Sequence, residues 1–202
     1  SKFSNFHFTA TKETKKRLIK MGEINKNIFV VGCPSIDALK QEENEKPEYI
    51  KKKFNIDISK DYILIIQHPV TSELNQVNKQ FIETIEALKN IKMKKLFVFP
   101  NNDAGSLKII KLIKKYNFNY CKTLSLKEYK TLLQNSKALV GNSSSGIHEA
   151  ATFKIPVVNI GTRQEGRTKS INVLDTNYNR HQILKVLKKA LSLTFKSKLK
   201  NL

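Results

Sequence analysis

Three stretches of this sequence carry residue types and spacings suited to chemistry on an anion. The first is Gly141-Asn142-Ser143-Ser144-Ser145-Gly146-Ile147-His148-Glu149. Small residues let the backbone approach a ligand closely. At a helix start the free N–H groups face that ligand, and serine hydroxyls add donors. This is the physical design of a phosphate site, although it lacks the spacing of a P-loop or of GxGxxG. A simple helix cap would account for one serine, but not for three with two glycines. Glu149 falls roughly one helical turn beyond Ser145. It either complements the helix dipole or accepts two hydrogen bonds from a ribose diol.

The second stretch, Gln67-His68-Pro69-Val70-Thr71, closes an apolar run. A histidine there would project into a crevice, where His68 could donate to a phosphate or act as an acid; a purely structural histidine is the alternative. The third, Gly161-Thr162-Arg163-Gln164-Glu165-Gly166-Arg167, holds two of the four arginines among 37 basic residues. Where lysine dominates, retained arginine suggests a need for its bidentate fork, so Arg163 and Arg167 are candidates. Phe99-Pro100-Asn101-Asn102-Asp103 also follows an apolar run, and its Asn and Asp residues could be ligand contacts or helix caps. His7, His148 and His181 read as structural. Asp57, Asp61 and Asp175 read as turn or cap residues. No His, Cys and carboxylate spacing fits a metal, and no Ser/His/Asp set is evident.

These motifs need a frame to position them. Short apolar runs at 28–31, 62–66, 96–99, 119–121, 138–140 and 157–160 predict strands, with 170–174 as a last one. Amphipathic stretches at 11–21, 35–39, 47–54, 73–90, 104–116, 126–134, 146–153 and 180–193 predict helices. Continuous apolar strands indicate a sheet covered on both faces. Their alternation with helices means parallel βαβ units with right-handed crossovers. The expected fold is a Rossmann-like, doubly wound α/β domain. Such sheets bind ligands beyond the C-terminal ends of their strands, where all three stretches fall.

The 202 residues suit one domain with a sizeable core, over 1–202. The net charge of +20 invites a nucleic-acid reading. Against it, the charge is almost all lysine and is spread along the chain, as on solvated helix faces; a positive field could still attract anionic substrates. Cys33 and Cys121 match no metal spacing and read as reduced thiols of a cytoplasmic protein. No apolar run approaches the ~20 residues of a membrane span, and the start has no signal-peptide core. The lack of an initiator Met suggests a piece of a longer chain.

Together these loops resemble one family. His7-Phe8-Thr9-Ala10-Thr11, Val31-Gly32-Cys33-Pro34-Ser35-Ile36-Asp37, Gln67 to Thr71, Phe99-Pro100-Asn101, Gly141 to Ser144 with Gly146 and Glu149, and Gly161 to Gln164 with Gly166-Arg167 occur in the order found in the second half of hydrolysing UDP-N-acetylglucosamine 2-epimerases of the sialic and legionaminic acid pathways. The resemblance runs from His7 to Leu174. It implies the C-terminal domain of a two-domain, glycosyltransferase-B-type fold, and conversion of UDP-GlcNAc to N-acetylmannosamine and UDP. The reaction is elimination of UDP, then hydration with inversion at C2, without metal or other cofactor. By motif match, Ser143, Ser144 and Gly146 would hold the diphosphate and Glu149 the ribose. His68 and Arg163 would act on the leaving phosphate, supported by Arg167, with Asn101 lining the sugar–phosphate side. Tyr129 would pack on uracil, with backbone near Leu124 reading its edge.

The resemblance further implies a UDP-sugar as partner, a homodimer in the full-length protein, and no nucleic-acid or membrane partner. The family's acid–base carboxylates lie in an N-terminal domain absent here, so the chain is expected to be inactive alone. A 2,4-diacetamido-trideoxy sugar nucleotide is the alternative substrate. A UDP-sugar glycosyltransferase donor domain is the alternative enzyme.

Overall fold

The computed structural model describes residues 2–200 and 202, which form two compact units dividing after Gln41. In the first, β1 (His7–Thr9) pairs in parallel with β2 (Ile28–Val30) across α1 (Lys12–Lys20), and α2 (Pro34–Gln41) follows. Thr11 caps α1 by accepting from the Thr14 N–H, and Gly22 stands just past its end at φ +88°. His7 is buried and meets Glu23 Oε2 at 3.1 Å. The opposite face of the pair is exposed and aromatic, with the Phe8 and Phe29 rings stacked 5.7 Å apart. That β1 is a strand was not legible in its three residues.

The second unit starts with α3 (Pro47–Phe54), whose proline sits at the first helical position and whose end is set by Asn55 in the left-handed region. There follow β3 (Tyr62–Ile66), α4 (Val77–Lys89), β4 (Lys94–Val98), α5 (Ser106–Lys115), β5 (Asn119–Cys121), α6 (Leu126–Gln134) and β6 (Ala138–Gly141). Then come α7 (Ser145–His148), β7 (Val157–Ile160), β8 (Val173–Thr176), α8 (Arg180–Leu191) and α9 (Leu193–Leu199). The strands are all parallel, in the order β5-β4-β3-β6-β7-β8. The expected doubly wound α/β sheet is therefore present. The chain works outward from β3 to one edge, then returns to start the other half at β6. The boundary between β3 and β6 is the topological switch point, where open α/β sheets form their ligand crevice.

All of β3 is buried, and its side chains alternate between two cores. Ile63 and Ile65 join Phe81, Ile85, Ile109 and Ile183 beneath α4, α5 and α8. Tyr62, Leu64 and Ile66 join Ile50, Leu132 and Leu133 beneath α3 and α6. A strand with apolar residues on both faces reads as a continuous run, which is why this sheet was visible in the sequence.

Several boundaries differ from expectation. The helix expected at 73–90 is a 3-10 segment, Thr71–Gln76, that bends at Glu73 before α4 begins. The helix expected at 146–153 is one α-turn, α7, followed by a 3-10 segment, Ala150–Phe153, and Lys154 in the left-handed region. The last strand is 173–176 rather than 170–174. The helix expected at 180–193 stops at Leu191 because Ser192 turns extended and caps α9, its hydroxyl accepting from the Phe195 N–H. Each difference lies where a local cap or turn overrides an apolar period.

Candidate functional site

The register of β3 against β6 pairs Ile66 with Gly141, so the two loops leave the sheet side by side. Gly141 is required there. Its φ is +135°, and a Cβ would lie 2.1 Å from the Ile66 carbonyl oxygen. Asn142 follows, almost wholly buried at 1% exposure. Its Oδ1 accepts from the His68 N–H at 2.7 Å, and its Nδ2 donates to the His68 carbonyl at 2.9 Å. The Asn142 carbonyl accepts from Arg163 Nη1 at 3.2 Å and from Gln164 Nε2 at 2.8 Å. The loops after β3, β6 and β7 thus meet at one residue.

His68 is buried, and its Nδ1 accepts from the Asn101 N–H at 3.2 Å. The acceptor nitrogen carries the lone pair, so the ring proton sits on Nε2. Burial first, and the charge of Arg163 second, push its pKa down to about 4, against a weaker upward pull from Asp103. At neutral pH His68 is an uncharged imidazole presenting one N–H. Arg163 is part-buried, with Nη2 3.9 Å from Asp103 Oδ2. It lines a cavity of about 560 Å³ with Val70, Glu73, Asp103 and Thr162.

Ser143 Oγ lies 2.6 Å from Ser145 Oγ and accepts from the Ser145 N–H at 3.3 Å. Ser144 occupies the cap position of α7, yet its side chain makes no capping bond. A cap therefore does not explain that hydroxyl. The short α7 carries less dipole than the helix the sequence predicted, so hydroxyls and local N–H groups outweigh the macrodipole here. Gly146 is buried with its Cα against the sheet, where a Cβ would lie 2.8 Å from Val157 Cγ1. Its smallness serves the packing of α7 on β7.

Glu149 follows α7, and its Oε2 is buried without a donor. A buried carboxylate oxygen left unpaired is costly, and here it offers an acceptor to a hydroxyl. Tyr129 reaches this point from α6, which Ser125 and Glu128 start with a reciprocal capping box. The Tyr129 hydroxyl is buried near Ser145 and Glu149 without a hydrogen bond of normal geometry. Desolvation first, then the Glu149 charge, raise its pKa. Leu124 packs at the edge of the same core. Arg167 is exposed, with Nη1 3.1 Å from His148 Nε2. Asn101 is exposed and joins the site through its backbone.

The geometry therefore gathers His68, Arg163, Asn101 and the serine turn at the switch point, with Glu149 just past α7 and Tyr129 reaching Ser145 and Glu149 from α6. A family model described as UDP-N-acetylglucosamine 2-epimerase matches residues 1–201.

The chain belongs to the UDP-N-acetylglucosamine 2-epimerase family.

Two curated members of that family cover nearly the whole chain. The UDP-N,N'-diacetylbacillosamine 2-epimerase (hydrolyzing) of Legionella pneumophila is 37% identical over 196 residues, which are 95% of this chain and 52% of the relative. The UDP-N-acetylglucosamine 2-epimerase of Neisseria meningitidis is 30% identical over 196 residues, 96% of this chain and 52% of the relative. The chain thus spans about half the length of the curated relatives it matches. Among solved structures, the UDP-GlcNAc 2-epimerase of Methanocaldococcus jannaschii, crystallised with UDP-GlcNAc and UDP, superposes with a TM-score of 0.74 at 19% identity. It covers 94% of this epimerase-family chain and 55% of its own. The shared fold is the α/β domain of a glycosyltransferase-B-like epimerase.

Sequence reasoning did not single out Asn142, Gln164 or Glu73. Asn142 and Gln164 stood inside recognised motifs, but their buried positions depend on three loops converging from distant parts of the chain. Among the described residues, no group of three or more His, Cys, Asp or Glu is placed to hold a metal ion, and no helix is long and apolar enough to cross a membrane.

Proposed function

We propose that this chain is the UDP-binding half of a hydrolysing UDP-N-acetylglucosamine 2-epimerase. The observation that carries this reading is the meeting of neutral His68 and the Arg163 guanidinium at Asn142, beside the β3/β6 switch point, with the Ser144 hydroxyl two residues further on making no capping bond. Elimination of UDP develops negative charge on the leaving phosphate. Donors already fixed around that charge lower the barrier without reorganising during the reaction. Ser143 and Ser144 would hold the diphosphate, His68 would donate to the oxygen nearest the breaking bond, and Arg163 would neutralise its charge, with Arg167 at the rim. Glu149 would accept from the ribose hydroxyls through its unpaired oxygen, and Tyr129 would face the base. The solved epimerase with UDP-GlcNAc and UDP supports the ligand class.

The carboxylates that move the C2 proton would come from a further domain outside these residues. The half-length match to relatives supports this. The whole protein would be a soluble cytoplasmic homodimer.

A second reading concerns the sugar. Identity is higher to the diacetylbacillosamine enzyme, at 37%, than to the GlcNAc enzyme, at 30%, which favours a 2,4-diacetamido-trideoxy sugar on UDP. The primary test is calorimetric titration of the chain with UDP, beside a Ser144→Ala, Glu149→Ala double variant. Saturable binding lost in the variant supports the site. A folded chain that ignores millimolar UDP counts against it. Offering the full-length protein each UDP-sugar without an acceptor then separates the two substrates, and separates an epimerase from a glycosyltransferase.

A further inference from the structure

We infer that Asn142 is the positioning residue that fixes which nitrogen of His68 carries the proton and delivers His68 and Arg163 to the same point. This inference rests on the UDP-site reading for its purpose but not for its geometry. The His68 backbone leaves the sheet as an open N–H and C=O. A carboxamide is neutral and presents its acceptor and its donor on separate atoms, so it can accept from the one and donate to the other at once. Asn142 does this with contacts of 2.7 and 2.9 Å, the only amide orientation that satisfies both. Asn142 is itself held by its own N–H, which donates to the Ile66 carbonyl at 3.1 Å. Its position is therefore set by the last rung of the sheet.

Two consequences follow from that clamp. With the His68 main chain held, its ring Nδ1 accepts from the Asn101 N–H at 3.2 Å, so Nε2 is the donor. The Asn142 carbonyl, turned outward, takes Arg163 Nη1 at 3.2 Å and Gln164 Nε2 at 2.8 Å. One buried residue thus sets a neutral donor and a cation by two different groups, its side chain and its main chain. Aspartate would keep the acceptor but put a carboxylate oxygen against the His68 carbonyl. Alanine would lose both side-chain contacts and keep only the main-chain carbonyl that Arg163 already uses.

The experiment is imidazole ¹⁵N spectroscopy of the chain, wild type and Asn142→Ala and Asn142→Asp, at pH 7.5 without nucleotide. Asn172→Ala serves as a structural control, because it removes an equally buried amide whose Nδ2 donates to the Ile155 carbonyl at 2.9 Å. The wild type is expected to show His68 in a single Nε2–H form. Both Asn142 variants are expected to show averaged nitrogen shifts, and the control the wild-type pattern despite a lower Tm. A wild-type His68 already mixed between forms overturns the inference even if the variants do not fold. So does an unchanged His68 in folded Asn142 variants. UDP titration of the same samples reads the function separately, with about tenfold weaker binding expected in the variants. If the wild type binds no UDP while the shifts behave as expected, the functional reading fails and the role of Asn142 stands.

Discussion

The hydroxyl of Thr162 donates to Glu73 Oε1 at 2.6 Å, joining the loop after β7 to the 3-10 segment after β3. The other Glu73 oxygen accepts from Gln80 Nε2 at 2.6 Å, on α4. The latch therefore joins the residue next to Arg163 to buried Gln80 of α4, and Thr162 and Glu73 both line the cavity. Thr162→Val should cost no more than about 1 kcal/mol, since the pair is exposed. Its effect should fall on the loop. The Glu165 amide, which donates to the Thr162 carbonyl, should exchange faster, and UDP affinity should drop roughly three- to tenfold. Unchanged exchange at Glu165 would show that the latch does not order the loop.

Acid should destabilise the chain through His68. The folded protein keeps this imidazole neutral down to about pH 4, whereas the unfolded chain protonates near ~6.5. Between those values the unfolded state binds the extra proton, so stability present above pH 6.5 is lost as pH falls. The loss is about 1.4 kcal/mol at pH 5.5 and approaches about 3 kcal/mol at pH 4. Urea unfolding of wild type and His68→Gln at pH 7.5, 5.5 and 4.5 isolates this contribution from other titrating groups. The stability gap between them should move against the wild type as pH drops. A constant gap would mean that His68 titrates alike in the folded and unfolded chains.

Arg180 opens α8 gripping Glu83 of α4. Its N–H donates at 2.8 Å to one carboxylate oxygen, and Nη2 reaches the other at 2.5 Å. The hydrogen bonds from Arg180 hold the Glu83 carboxyl down at about 2. The clamp also places a negative charge at the start of α8. Because both groups meet solvent, Glu83→Gln should lower stability by only about 1 kcal/mol, and the loss should shrink in high salt. Thermal unfolding at two salt concentrations checks this. UDP binding should be untouched, because the pair lies on the helical layer away from the switch point.

The parts of this molecule legible in its sequence were those where a local pattern and the tertiary environment agree. The β3 run Tyr62–Ile66 is apolar throughout because both of its faces are covered, and it was read with the correct ends. The box of Ser125 and Glu128 likewise starts α6 where expected. His68, Arg163 and the serine turn stood out because their types are unusual for their positions. Asn142 did not, because nothing local distinguishes a buried clamp from a turn asparagine. Its partners lie 74 residues away at His68 and 21 residues away at Arg163. The three residues of β1 gave too short a period to read. The early stops of α7 and α8 came from backbone turns at Glu149 to Lys154 and at Ser192 that apolar spacing does not encode.

The two glycines that flank the serine turn should fail differently. At Gly146 an added Cβ meets Val157 Cγ1 at 2.8 Å, a side-chain clash in an allowed helical backbone. Gly146→Ala should cost about 1–3 kcal/mol by overpacking. Trimming the neighbour as Val157→Ala should recover part of it, so that the pair is non-additive by about 0.5–3 kcal/mol. At Gly141 the clash is with the Ile66 carbonyl oxygen at 2.1 Å, and φ is +135°. No side chain can be trimmed there, so Gly141→Ala should cost more than about 2 kcal/mol without rescue. The nucleotide readout then decides what Gly146 is for. If it serves the packing of α7 on β7, the Gly146→Ala, Val157→Ala double variant should bind UDP as the wild type does. If instead it lets the backbone approach the diphosphate, the double variant would regain stability and still bind UDP poorly.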